Sequence, residues 1–273
     1  MAFLDEILQR KRSEIAAARN LRDLAALKRM ISDAPPVRSF SSALSNGFGI
    51  IAEIKRRSPS GGDMRQENVE RAPAAYARSP VVKCVSVLTN ATDFGMNIED
   101  LSKMRQEIPK PILRKDFIFE EYQVYEARAF GADALLLMVN VLDRDNMHRL
   151  FNLSQELGMD VLFEAHTKEE IEAIPEGAKL YGINSRKFKA STQTFANSAK
   201  GSDFTVELDT FSLINYLPKQ AIKIAESGVG PSQLSGVFEM GYNAVLVGTS
   251  LLKAESGIEG MLQEFDLTVA ILK

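Results

Sequence analysis

Eight short runs of apolar and β-branched residues recur along the chain, and amphipathic stretches separate most of them. This alternation predicts parallel strands joined by helices, and eight such strands close a (β/α)8 barrel, the α/β architecture called the TIM barrel. The chain has 273 residues, which suits one barrel of about 250 residues. The predicted strands are Gly49–Ile54, Val82–Leu88, Pro111–Arg114, Ala134–Val139, Asp160–Phe163, Leu180–Ile183, Ala221–Ala225 and Ala244–Val247.

The residues before the first predicted strand favour helices. Apolar residues recur at helical spacing within residues 3–19, and a second amphipathic stretch over residues 21–31 ends at the prolines that begin with Pro35. We therefore predict N-terminal extra helices over residues 1–46. Because no linker rich in Pro, Gly or Ser divides the chain, we predict that residues 1–273 form a single barrel domain.

Composition limits the classes of partner. The formal net charge is −3 and the sequence pI is about 5.6, which argues against nucleic acid or a membrane surface as the main partner. No apolar run approaches the ~18 residues of a membrane span, and because charged residues appear within the first five positions we do not expect the N-terminus to act as a signal peptide. Cys84 is the only cysteine, so no disulfide forms within the chain, and we expect a cytoplasmic protein with Cys84 as a buried hydrophobe rather than a catalytic thiol.

Charged residues end the first predicted strand. Glu53 and Lys55 are two positions apart, so on a strand they share one face with Ile51, while Ala52 and Ile54 occupy the other. Active sites of these barrels lie at the C-terminal ends of the strands. We therefore expect Glu53 and Lys55 in the barrel mouth, although an ion pair without chemistry explains them equally well.

Further acid–base groups end the third and fifth predicted strands. Lys115 closes an apolar run just before Phe117, and Glu164 lies at the end of the fifth strand. We expect partial burial and the charge of Lys55 to lower the pKa of Lys115, with Glu53 and Glu164 limiting the fall. Two lysines and two glutamates at three strand ends provide the proton donors and acceptors that general acid–base catalysis needs.

Polar residues also end the sixth predicted strand. Asn184 can orient a neighbouring glutamate or a substrate hydroxyl, and Arg186 can bind an anion. The connection that follows is long and polar, with residues 187–203 interpreted as a mobile flap or a disordered insertion and residues 206–216 as helical.

Glycine-bearing turns follow the seventh and eighth predicted strands. In barrels of this kind, backbone N–H groups at these two places commonly bind a phosphate. The two turns together predict a phosphorylated small-molecule ligand. Their residues are Ser227, Gly228, Gly248 and Thr249.

The two histidines do not indicate a metal site. Neither His148 nor His166 has a nearby histidine, cysteine or carboxylate at the spacing of metal ligands, and for His166 a structural role is favoured over one in the mouth. No dinucleotide-binding glycine fingerprint follows the first strand.

Two segments resemble the indole-3-glycerol-phosphate synthase family: IAEIKRRSPSGG at residues 51–62 and PILRKDFIFEEY at residues 111–122. Shorter segments such as GINSR, AESGV and VLVGTSLL are similar to the family as well, so the resemblance covers nearly the whole chain. It implies a TIM-barrel carboxy-lyase of tryptophan biosynthesis. The implied enzyme needs no cofactor, and we expect a monomer or a weak homodimer.

The chain departs from the family pattern at one turn, and two other functions are alternatives. After the second strand the chain has Met96 and Asn97 where the family usually has a Gly-Ser-like turn. The alternatives are a related phosphosugar barrel, such as phosphoribosylanthranilate isomerase, and a barrel that binds its ligand without turnover.

The resemblance also implies roles for individual residues. The implied catalytic residues are Lys115, Glu164, Lys55, Glu53 and Asn184, the substrate contacts are Ser58, Phe94, Phe117, Leu136, Arg186, Glu226 and Ser227, and the phosphate contacts are Gly228, Gly248 and Thr249.

Overall fold

A computed structural model describes residues 3–186 and 206–272. Eight parallel strands close into a barrel in which each strand pairs with the strands before and after it in the chain, and the last pairs with the first. This confirms the predicted fold. The strands are β1 Gly49–Ile54, β2 Val82–Leu88, β3 Ile112–Lys115, β4 Ala134–Met138, β5 Asp160–Ala165, β6 Leu180–Asn184, β7 Ile222–Glu226 and β8 Ala244–Val247.

The strands alternate between the barrel interior and the layer beneath the helices. Ile51 belongs to the interior cluster with residues such as Leu113 and Leu246, whereas Ala52 and Ile54 belong to the cluster between strands and helices. The predicted faces of β1 are therefore confirmed. All of β1 is buried because a barrel strand has apolar layers on both faces.

Three helices precede β1, and they reach both ends of the barrel. The first helix meets the mouth, where Lys11 contacts the Thr89 carbonyl just after β2. Phe40 and Leu44 of the third helix join the interior cluster at the opposite end, near the start of β2, where the Cys84 thiol donates to the Phe40 carbonyl. The extension thus packs on the barrel itself. These helices are α1 Phe3–Leu21, α2 Leu24–Asp33 and α3 Phe40–Ser45.

The remaining helices lie between strands or after β8. A two-stranded hairpin formed by Arg57–Ser58 and Gly62–Asp63 follows β1, and 3-10 turns cover Val139–Val141 and Pro231–Gln233. Among the described helices, none has the length and apolar character needed to cross a bilayer. The helices are α4 Gln66–Arg78, α5 Ala91–Phe94, α6 Ile98–Glu107, α7 Glu121–Ala129, α8 Arg144–Glu156, α9 Lys168–Ala173, α10 Leu234–Glu239, α11 Thr249–Leu252 and α12 Gly257–Ile271.

The long connection after β6 is described only in part. The segment predicted as a flap or insertion, residues 187–203, lies outside the described residues. The part predicted as a helix forms a 3-10 helix, Leu208–Tyr216, that begins two residues later than expected.

Candidate active site

Lys115 stands at the centre of a carboxylate cluster in the barrel mouth. Its Nζ lies 2.6 Å from Glu226 Oε2, 3.5 Å from Glu164 Oε2 and 4.0 Å from Glu53 Oε2. Glu53 Oε1 in turn accepts a hydrogen bond from Lys55 Nζ at 2.5 Å. The residues predicted from three strand ends therefore meet, and Glu53 links the two lysines.

The predicted direction of the Lys115 pKa is wrong. Burial alone would lower it, but the carboxylates of Glu226, Glu164 and Glu53 outweigh that effect and raise the pKa of Lys115. The difference comes from Glu226, which the sequence does not place beside Lys115 but which is the nearest of the three carboxylates. Lys115 is therefore a fully charged ammonium at neutral pH.

Glu164 and Glu226 form a buried dyad with opposite shifts. Burial raises the pKa of Glu226 to about 7, a net value in which the opposing charge of Lys115 and the reinforcing charge of Glu164 are both included. Burial also acts to raise the pKa of Glu164, but Lys115, His166 and a hydrogen bond with Asn184 outweigh it and leave the value lowered. As the pH falls, Glu226 is therefore the carboxyl of the dyad that gains a proton first, while Glu164 stays ionised to lower pH.

Glycines make room for this cluster. A Cβ built on Gly182 of β6 would lie 2.0 Å from Glu226 Oε1, and one built on Gly248 would lie 2.4 Å from Glu53 Oε1. Sequence reasoning missed Gly182. Its signal is a lone glycine inside an apolar strand, which often marks close approach of another group.

A second buried network is centred on Asp116, the residue after Lys115. Sequence reasoning missed this network as well. Asp116 Oδ2 lies 2.6 Å from Lys11 Nζ and 3.1 Å from Arg114 Nη2, and it accepts a hydrogen bond from Thr89 Oγ1 at 2.7 Å. Its other oxygen accepts from the Phe117 N–H. The available signal was Arg114, a charged residue inside an otherwise apolar strand.

A small, mostly apolar cavity of about 60 Å³ adjoins Lys115. Asn90, which was not predicted, also lines it and caps α5 by accepting from the Asp93 N–H. Met96 is buried, and Asn97 caps α6. The predicted residues Phe94, Phe117, Leu136, Glu164 and Asn184 line this cavity.

A larger cavity of about 420 Å³ shares Phe94, Lys115 and Asn184 with the small one. The turns after β7 and β8 form its wall, and Ser227 adopts φ 69°, a left-handed conformation that is uncommon for a residue with a side chain. The structure thus brings the two predicted turns together around one space. The predicted residues Glu53, Lys55, Arg186, Ser227, Gly228, Gly248 and Thr249 line it.

Two residues with a predicted substrate contact, Glu226 and Ser58, line neither of these two cavities. Glu226 is fully buried and lines neither cavity, because its carboxylate is bonded to Lys115. Ser58 also lines neither cavity, since its buried hydroxyl accepts the Gly61 N–H within the hairpin. The substrate contact of Glu226 stays a prediction, and the contact that the structure shows for its carboxylate is with Lys115.

His166 is less isolated than its sequence neighbourhood suggested. Its ring contacts two carboxylates, with Nε2 3.6 Å from Glu164 Oε1 and Nδ1 3.3 Å from Glu170 Oε2. Within residues 3–186 and 206–272, no cluster of three or more His, Cys, Asp or Glu side chains is arranged to hold a metal ion.

A closed parallel barrel with an acid–base cluster and a turn-lined cavity at its mouth defines a (β/α)8-barrel enzyme. The family is given by sequence: the model of indole-3-glycerol phosphate synthase matches residues 4–259. The chain belongs to this family, whose members are carboxy-lyases of tryptophan biosynthesis.

Relatives of the chain carry the same family name. Proteins named indole-3-glycerol phosphate synthase from Rhodococcus jostii, Rhodococcus opacus and Paenarthrobacter aurescens are 39%, 40% and 38% identical to it. Each match covers 92% of this chain, and 90%, 90% and 91% of the respective relative.

Solved structures share the fold at low identity. A 3-hexulose-6-phosphate synthase from Salmonella typhimurium has a TM-score of 0.59 at 12% identity and covers 83% of this chain and 100% of its own. A thiamine phosphate pyrophosphorylase from Pyrococcus furiosus also has a TM-score of 0.59, at 14% identity, covering 86% and 99%. At these identities the likeness concerns the barrel alone.

Proposed function

We propose that the chain converts 1-(2-carboxyphenylamino)-1-deoxyribulose 5-phosphate to indole-3-glycerol phosphate, CO₂ and water. The observation that carries the proposal is the position of Lys115. Its ammonium borders both the small apolar cavity and the larger turn-lined cavity, so it can reach the junction between an aromatic ring and a sugar phosphate.

Ring closure is the first step. The ring carbon that bears the carboxylate attacks the sugar ketone, a C–C bond forms, and the ketone oxygen takes a proton. Lys115 is the proposed donor. Because its pKa is raised, the proton moves only as the oxygen gains alkoxide character, since an alkoxide is a far stronger base than a ketone. Glu226 and Glu53 hold the ammonium in place, and correct placement of a proton donor is worth much of the barrier.

Decarboxylation and dehydration follow. The C–CO₂ bond breaks and its electron pair restores the aromatic ring, so the substrate's own amine and arene act as the electron source and no cofactor is required. Loss of water then needs one proton removed from carbon and one delivered to the departing hydroxyl. Glu164 is the proposed acid–base group, oriented by Asn184.

The phosphate end is assigned to the larger cavity. The proposed cradle consists of Ser227 and Gly228 after β7 with Gly248 and Thr249 at the start of α11. Support comes from their shared cavity wall and from Arg186, which lines the same space. Lys55 also lines this cavity and not the small one, which favours contact with the sugar phosphate over the aryl carboxylate.

We also propose that residues 1–273 act as one domain, in the cytoplasm, as a monomer or weak homodimer. Contacts of α1 and α3 with the barrel support a single domain. The single cysteine is consistent with a location in the cytoplasm. Sedimentation velocity at two protein concentrations tests the oligomeric state, and cell fractionation tests the location.

The deciding experiment is to mix the purified protein with the carboxyphenylamino substrate and follow indole fluorescence. The chain has no tryptophan, so the background is low. Glu164→Gln should still bind substrate but lose about 10²–10⁴-fold in turnover, because glutamine cannot exchange protons. Binding without any turnover by the wild-type protein would favour a non-catalytic barrel. Turnover of phosphoribosylanthranilate instead would favour the isomerase.

A further inference from the structure

A histidine lies directly behind the proposed acid–base carboxylate. His166 follows β5, and its side chain is only 8% exposed. The Nε2 atom lies 3.6 Å from Glu164 Oε1, while Glu164 Oε2 lies 3.5 Å from Lys115 Nζ. Glu164 is therefore placed between an ammonium on one side and an imidazole on the other.

Glu170 holds the far side of that imidazole. One oxygen, Oε2, accepts the His166 backbone N–H at 2.7 Å and lies 3.3 Å from His166 Nδ1. Thr167 caps α9 by accepting the Glu170 N–H, while the Glu170 carboxylate turns to His166. The first turn of α9 thus fixes the ring through Glu170.

A carboxylate near each ring nitrogen favours the charged form of the ring. To donate to Glu170, Nδ1 must carry a hydrogen. A neutral ring with that hydrogen would direct the Nε2 lone pair at the Glu164 carboxylate, whereas an imidazolium presents an N–H to both carboxylates. The charged form therefore fits both neighbours.

The surrounding charges act in the same direction. Among the described residues, the charged groups that face His166 are Glu164 of β5, Glu170 of α9 and Glu226 of β7. Burial lowers the pKa of His166, but these three carboxylates outweigh it and raise the value. Lys115 contacts the other oxygen of Glu164, Oε2.

We propose that His166 is a positioning residue for Glu164: held by Glu170, its imidazolium keeps the Glu164 carboxylate charged and aimed beside Lys115. The proposal rests on the proposed role of Glu164. It explains how Glu164 stays ionised although Glu226 and Glu53 crowd the same mouth. Without this cation the pKa of Glu164 would rise. As the pH falls, Glu164 would then become protonated sooner and stop acting as a base.

The test is the pH profile of kcat/KM for His166→Gln, measured by indole fluorescence with the carboxyphenylamino substrate. The acid limb should move up by about one pH unit, which is about a tenfold loss of rate on that limb. KM should change by less than about threefold, because His166 lines neither cavity. Above the pH at which His166 loses its charge, the two profiles should converge.

His148→Gln is the matched control, since His148 lies on α8 away from the mouth and its profile should match the wild type. Glu170→Gln provides a second variant: the ring stays but loses its anionic partner, so a smaller shift in the same direction is expected. This variant decides the matter if His166→Gln does not fold.

The outcomes separate the two proposals. If neither the wild type nor His148→Gln turns over the substrate, the proposed function fails. The other outcome concerns His166→Gln and Glu170→Gln when the wild type is active. If these two variants lose no rate, or lose the same factor at every pH, His166 does not act through charge and the inference is overturned.

Discussion

Lys115 is surrounded by more negative charge than a proton donor needs. Glu226, Glu164 and Glu53 all approach its ammonium within 4.0 Å, so the proton is held firmly until substrate supplies a strong base. As a result, Lys115 stays protonated near neutral pH, and its ammonium is held in one position.

The first prediction concerns this donor. Lys115→Ala should lose at least about 10²–10⁴-fold in kcat, with a much smaller change in substrate affinity, because a general acid acts in the transition state. Lys115→Arg should restore little, since guanidinium carries the charge but does not release a proton near neutral pH. Steady-state kinetics by indole fluorescence provide the measurement.

Lys55→Ala is the companion variant. Because Lys55 lines the larger cavity and is bonded to Glu53, its loss should raise KM more than it lowers kcat. The reverse pattern, with Lys55→Ala inactive and Lys115→Ala near normal, would show that the two lysines have exchanged roles. Normal turnover by both variants would remove the cluster from the mechanism.

A second prediction concerns the space beneath the cluster. Gly182→Ala should lower kcat by about 10²-fold, because the new methyl group displaces Glu226 and so misplaces Lys115. Gly236→Ala is the control: nothing lies within 4 Å of its added Cβ, and alanine favours helix α10. Equal kinetics for the two variants would mean that Glu226 can move without consequence.

At the scale of elements, the wall of the larger cavity is built from two turns that are separate in the chain. Parallel pairing of β7 with β8 brings them together. Gly248 is a poor probe of the proposed cradle, because any side chain there also strikes Glu53. Thr249 is a better one, since it begins α11 and is not fully buried.

The third prediction therefore compares Thr249→Asp with Thr249→Asn. The two side chains have nearly the same shape, and aspartate is favourable at a helix N-terminus, so both variants should fold. If the phosphate binds here, Thr249→Asp should raise KM at least about tenfold over Thr249→Asn through charge repulsion. Equal KM values would place the phosphate elsewhere.

At the scale of the whole molecule, a buried ion pair joins α1 to the residue that follows β3. Lys11 and Asp116 have side chains only 4% and 0% exposed, and their atoms lie 2.6 Å apart. Asp116 directly follows Lys115, so the N-terminal extension is linked to the strand that carries the proposed acid.

The fourth prediction follows from that link. Lys11→Met should cost on the order of 3 kcal/mol of unfolding free energy, because it leaves a buried carboxylate with one cation fewer. Arg19→Ala, which breaks the largely exposed pair with Glu120, should cost no more than about 1 kcal/mol. Urea unfolding gives both values, and a negligible loss for Lys11→Met would show that the extension contributes little to the barrel.

The sequence by itself determined the barrel, the bounds of its strands to within two residues, and most of the residues in its mouth. It could do so because strand period, apolar runs and strand ends are local properties, and because parallel closure brings every strand end to one rim. The faces of Glu53 and Lys55 followed from the twofold period of β1 alone.

Only the tertiary structure decided which of those groups touch each other. The pKa of Lys115 depends on Glu226, which is 111 residues away in the chain, and the room for Glu226 depends on the missing side chain of Gly182. The pairing of His166 with Glu164 depends on how Glu170 turns at the start of α9. Charge interactions weaken with distance. The direction of each pKa shift is therefore set by the groups that packing across strands brings close, and not by neighbours in sequence.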